Sequence, residues 1–186
     1  MAEGIKPIRR VVTGNDARGR SKVVYDGPAP GMKASAFKKG TAMTDIWQFE
    51  ACPAPIAGDR DEGNRPFHFE PPATGGRLRI VQSDPKPATY DPAADTYLTP
   101  EHEPRKTEGG TWERGRQNLF TTRIHKSETV DYGILMSGER VLITDAGEHV
   151  LKPGDVVVQL GSWHAWGELN AGSQMAFVMM AAKFDE

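Results

Sequence analysis

Apolar and polar residues follow two different rules along this chain. From Asn118 onward, apolar residues come in short runs of about five, cut by glycine turns. These runs predict strands at 119–125, 132–136, 141–144, 150–151, 156–160 and 175–181. Ser137-Gly138, Asp145-Ala-Gly-Glu148 and Lys152-Pro-Gly-Asp155 have turn composition. Before Asn118 the pattern is sparser. Residues 8–13, 21–25 and 44–49 are rich in β-branched or aromatic side chains, and 76–82 alternates Arg77 and Arg79 with Leu78 and Ile80. No long amphipathic helix and no internal repeat is evident. Short strands at close spacing predict an all-β sandwich or barrel.

Proline sharpens the division. Thirteen of the fourteen prolines lie at or before Pro104. Proline removes a donor from a ladder, so the first half should be extended segments with irregular joins. Residues 51–65 read as a loop. Residues 84–115 show almost no apolar period and read as a long loop, a candidate lid. The organisation expected is an N-terminal strand extension over 1–75, packed on a barrel formed by 76–186.

Composition narrows the partners. A chain of 186 residues can bury a proper core, and its net charge of −2 offers no basic field for nucleic acid. No apolar run approaches a membrane span, and the first ten residues lack a signal-peptide core. Cys52 is the only cysteine, so neither an internal disulfide nor a cysteine metal cluster can form. A cytoplasmic protein binding a small molecule is the expectation.

Chemistry concentrates between residues 120 and 166. His125 precedes Asp131-Tyr-Gly-Ile-Leu-Met-Ser-Gly138, and Gly154-Asp-Val-Val-Val-Gln159 leads through Gly161 to His164. These segments resemble the two motifs of the cupin superfamily, in particular uncharacterised single-domain cupins of the conserved-barrel type. His125 matches the first motif's first histidine and His164 matches the histidine that ends the second. Ser127 stands where a second histidine is usual, Asp131 where a glutamate is usual, and Gln159 where a proline is usual. The resemblance implies a jelly-roll β-barrel holding one divalent metal ion. The ligands it implies are His125 and His164, with Asp131 as a third ligand or as an orienting partner.

The residue types fit that implication. Two imidazoles and a carboxylate can cap one face of Fe, Mn, Ni or Zn and leave positions open for substrate. Asp131 could equally hold backbone in a turn. Arg123 lies two residues before His125, so an extended strand would turn both to one face, as substrate anchor or as an ion-pair partner at the barrel mouth. Tyr132 could offer a hydroxyl to the reaction. Trp163, Trp166, Met136, Ser127 and Gln159 are pocket candidates, although the tryptophans and Met136 read first as core. The expected function is a metal-dependent enzyme acting on a small carbonyl, enol or carboxylate compound, a lyase or isomerase ahead of a dioxygenase. The alternative is a metal-free cupin that senses or carries a small molecule. Strands 8–13 and 21–25, with Ile8, Val11, Val12, Val23 and Val24, are expected to pair two copies into a homodimer.

Overall fold

A computed structural model describes residues 5–34, 40–61 and 63–185. Among them lie twelve strands and one short 3-10 turn at Pro92–Ala94. The strands are β1 (Arg9–Asn15), β2 (Ser21–Pro28), β3 (Met32–Ala34), β4 (Thr41–Phe49), β5 (Gly76–Ser83) and β6 (Thr99–Lys106). They continue with β7 (Trp112–Gln117), β8 (His125–Lys126), β9 (Thr129–Thr144), β10 (Gly147–Leu151), β11 (Val156–Gln159) and β12 (Ala165–Ala181).

All the strand pairs are antiparallel, and they build the jelly-roll barrel of the cupin type. The main sheet runs β10-β9-β12-β5-β4-β3, with β11 on the first half of β9. A second sheet runs β6-β7-β8, and β1-β2 forms a hairpin of its own. Strands β9 and β12 are long enough to serve both walls of the barrel. Near Gly138, β9 bends rather than reversing, so the turn expected at 137–138 is a corner within one strand. Gly138 and Gly172 face each other there at positive φ (75° and 66°). A Cβ on Gly138 would sit 2.1 Å from the Gly172 carbonyl oxygen, which is why glycine is required.

The core follows the alternation of β9. Gly133 and Leu135 point inward, and Leu135 packs with Leu151, Trp166 and Met175, flanked by Leu142, Val157 and Phe177. Two arginines on β5 are also buried. Arg79 pairs with Asp45 of β4 through Nε and Nη2, one edge of its guanidinium (2.7 and 3.1 Å). It also donates to the carbonyls of His68 and Phe69, and Arg77 donates to those of His68 (2.6 Å) and Glu70 (2.9 Å). The segment 67–70, which has no regular structure, is thereby tied to the barrel.

Two expectations about organisation need correction. The division at residue 75 cuts the main sheet, because β4 lies between β5 and β3; only the β1-β2 hairpin stands apart. It is pinned by Arg10, whose guanidinium reaches Asp61 (2.5 Å) and the Ile46 carbonyl (3.1 Å). The long loop expected at 84–115 contains β6 and most of β7. Strand β6 reads Thr-Pro-Glu-His-Glu-Pro-Arg-Lys and is exposed along nearly its whole length, so it carries no apolar alternation. Its pairing rests on backbone and on ion pairs.

Candidate functional site

His125 and His164 meet across two neighbouring segments. Each donates its backbone N–H to the other's carbonyl (2.8 and 3.0 Å), so the two residues are direct partners. The imidazole rings lie 4.4 Å apart between centroids, tilted by 48°. On the inner side, Trp166 meets His164 edge-on at 5.7 Å. His164 is buried and His125 half-buried.

The hydrogen bonds of the rings settle which nitrogen carries the proton. His125 Nδ1 lies 2.8 Å from the Arg123 carbonyl, and His164 Nδ1 lies 2.9 Å from the Ser162 carbonyl. A carbonyl oxygen only accepts, so both Nδ1 atoms carry hydrogen. Both Nε2 atoms are then left with lone pairs, and neither has a hydrogen-bond partner among the described residues. Burial pushes the His164 imidazole down to about 3, helped by the neighbouring His125, and burial also lowers His125. Both rings are therefore neutral near pH 7.

The other site candidates divide. Ser127 is buried, its hydroxyl bonded to that of Thr129 (2.9 Å). Asp131 faces inward on β9, and burial raises its carboxyl to about 6. No group of three or more His, Cys, Asp and Glu side chains able to hold a metal ion occurs among the described residues. Asp131 thus does not close a three-ligand set with the two histidines. Gln159 is buried and accepts from the Ser162 hydroxyl (3.0 Å). Trp166 belongs to the core, whereas Trp163 points the opposite way from His164 and stacks with Arg114 (5.0 Å) and Lys126 (5.2 Å).

Three candidates stand elsewhere. Tyr132 and Met136 are 43% and 51% exposed on the outer face of β9. They alternate with inward Gly133 and Leu135, so a strand that buries those two must turn Tyr132 and Met136 out. Arg123 is exposed and bonded through Nε to the Gln117 side chain (2.9 Å). Residues 118–124 are irregular rather than a strand, so the same-face argument from spacing does not apply; the Arg123 main chain serves the site instead.

Glu113 was not singled out by the sequence. It is the register partner of His125 and of Arg105. It is 2% exposed, bonded to the Arg105 guanidinium and the Gly115 N–H, with His102 Nε2 at 3.4 Å. Burial raises its carboxyl, but the bonds from Arg105 and Gly115 outweigh this and hold it below its ordinary value. A glutamate between Trp112 and Arg114 in a charged stretch carries no signal of this. The register alone reveals it.

The architecture and the paired histidines together define a class, antiparallel β-barrels with one histidine from each of two motifs meeting on neighbouring segments. No family model matches the chain. Phomopsin biosynthesis cluster protein C' of Diaporthe leptostromiformis is 43% identical over 63 residues, 32% of this chain and 33% of that protein. The cupin-domain-containing oxidoreductase virC of Hypocrea virens is 36% identical over 63 residues, 33% of this chain and 32% of that protein. The matched segment spans about a third of the length of these relatives. The polyketide cyclase RemF of Streptomyces resistomycificus superposes with a TM-score of 0.42 at 12% identity, covering 96% of this chain and 80% of that one. Over the matched segment the chain is similar to cupin-domain proteins, and its barrel is of the antiparallel kind that the two motifs imply.

Proposed function

We propose that the chain is a cupin enzyme acting on a small carbonyl, enol or carboxylate compound, with the His125–His164 pair holding one divalent metal ion. One observation carries this reading: both Nδ1 atoms donate to main-chain carbonyls, which leaves two neutral, adjacent Nε2 lone pairs oriented in advance. Histidine ligands are typically fixed in this way. The donor set suits Fe, Mn, Ni or Zn as two imidazoles, with further positions left to water and substrate. When bound, such an ion supplies Lewis-acid polarisation of a substrate oxygen.

The chain's own residues do the rest. The carbonyls of Arg123 and Ser162 hold the tautomers and the ring planes. Burial keeps both rings unprotonated, and Trp166 closes the inner side against water. Lyase or isomerase chemistry needs little beyond a polarised oxygen and a moved proton. The names of relatives such as virC support a second reading, an oxidoreductase using the same pair.

Metal analysis tests the proposal. After loading and desalting, the chain is expected to retain one divalent ion. His125→Ala and His164→Ala should each reduce retention at least tenfold with an unchanged circular dichroism spectrum. A wild-type chain that retains none of the four ions would overturn the metal reading and leave a metal-free ligand-binding cupin. Full retention in both variants would place the ion elsewhere.

A further inference from the structure

The sheet that carries His125 has a second face with a different chemistry. Register pairs Lys106 with Trp112 and Trp112 with Lys126, and Lys126 lies across from Trp163. The result is an alternating row of cations and indoles, directed away from the histidines. Lys106 sits 5.9 Å from the Trp112 ring, and Lys126 sits 5.2 Å from the Trp163 ring. Past Lys126 the C-terminal segment returns, and Phe184 brings a second ring to 4.5 Å from the same ammonium. Phe184 also lies against Gly161, where a Cβ would come 2.7 Å from the ring.

Beside Lys126 lies an open groove of about 600 Å³. Its walls include Trp163, Phe184, Leu160 and Ala146, with Thr144 and Ser162 at the polar edge. Leu160 is 72% exposed, an apolar surface left uncovered among the described residues. Charge within the groove is unequal. Asp145 is at its rim, but the Arg114 guanidinium already holds that carboxylate. Lys126 has no carboxylate partner among the described residues. An ammonium flanked by two aromatic rings has lost water on those sides, and cation–π attraction compensates only part of that loss. Its groove side remains for an acceptor.

We propose that this groove binds a small monocarboxylate with a flat apolar body. The carboxylate meets the Lys126 ammonium, and the body lies against Trp163, Phe184 and Leu160. Among the described residues lining the groove Lys126 is the one cation, which matches one negative charge, and a dianion would leave a charge without a partner at an apolar wall. The groove and the histidine pair lie on opposite faces of the same strands, so occupancy of one does not block the other.

Calorimetric titration of the full chain with benzoate, and with benzamide as the uncharged isostere, tests this. Benzoate is expected to bind once per chain, and benzamide at least tenfold more weakly. Lys126→Met should weaken benzoate at least tenfold, and Lys126→Arg should restore most of the affinity, which shows that the fold is intact. His164→Ala should leave benzoate binding within twofold. Equal affinity for benzoate and benzamide, or Lys126→Met within twofold of wild type, would overturn the site. Loss of binding in His164→Ala would do so too, by placing the carboxylate at the histidines. Metal retention is read independently, so failure here leaves the proposed function standing.

Discussion

At the scale of single residues, Asp131 is the most informative titrating group outside the histidine pair. Burial pushes its carboxyl up to about 6 from an ordinary 3.8, and the Thr129 side chain offsets this only in part. One buried oxygen, Oδ1, has no hydrogen-bond partner. Between those two values the folded chain holds a proton that the unfolded chain has released. Stability should therefore fall as pH rises from about 4 to about 6, and above that the ionised carboxylate weighs against the fold. Asp131→Asn is expected to raise stability at pH 7.5 by on the order of 1 to 2 kcal/mol and to change little at pH 3.5. Urea unfolding at the two pH values checks this; an equal effect at both would rule out ionisation as the cause. The sequence made His125, His164 and Asp131 visible as residue types that bind metal. It could not show that Ser127 turns to Thr129, or that Asp131 stays apart from the histidines. Those facts depend on side-chain directions set by tertiary packing.

At the scale of elements, the corner in β9 shows both the reach and the limit of pattern reading. Ser137-Gly138 has the composition of a turn because Gly138 needs positive φ. A reversal and a bend impose the same demand on the glycine, so composition alone cannot separate them. The register decides it, since β12 continues alongside β9 on both sides of the corner. Gly138→Ala is expected to lower stability by roughly 2 to 4 kcal/mol, because the new Cβ meets the rigid Gly172 main chain. A fall in the urea midpoint at constant slope would support this, and a midpoint within 0.2 M of wild type would argue that the corner relaxes. The strands of the second half were legible where they bury one face, as β9 does around Leu135. The β6-β7 hairpin was not, because β6 buries almost nothing and is rich in proline and charge. Its glutamates and arginines do their work across strands, as Arg105 does with Glu113, and no local period records that.

At the scale of the whole molecule, the described residues present a large apolar area besides the groove. Tyr132, Ile134 and Met136 on β9 lie beside Val156 and Val158 on β11, each more than a third exposed. The β1-β2 hairpin shows less, chiefly Val11 and Val23. The homodimer expected from the sequence is therefore better served by the β9-β11 face than by the N-terminal strands. Light scattering should give twice the 20.4 kDa chain mass. Ile134→Glu combined with Val158→Glu should yield monomer, and Val23→Glu should not. A monomeric wild type, or dissociation by Val23→Glu alone, would reverse that assignment. Nothing in the helix content bears on membranes beyond one fact: among the described residues no helix is long and apolar enough to cross one. The hold of Arg77 and Arg79 on the segment 67–70 has a consequence for how such a molecule can change over time. Most of that grip falls on peptide oxygens, which are the same whatever amino acid bears them; Phe67 adds a ring, 4.6 Å from Arg79, and Glu70 adds its charge beside Arg77. His68, held by both arginines through its carbonyl oxygen, can thus be rewritten without loss of that grip, so this position is free to acquire new chemistry while the barrel beneath it stays the same.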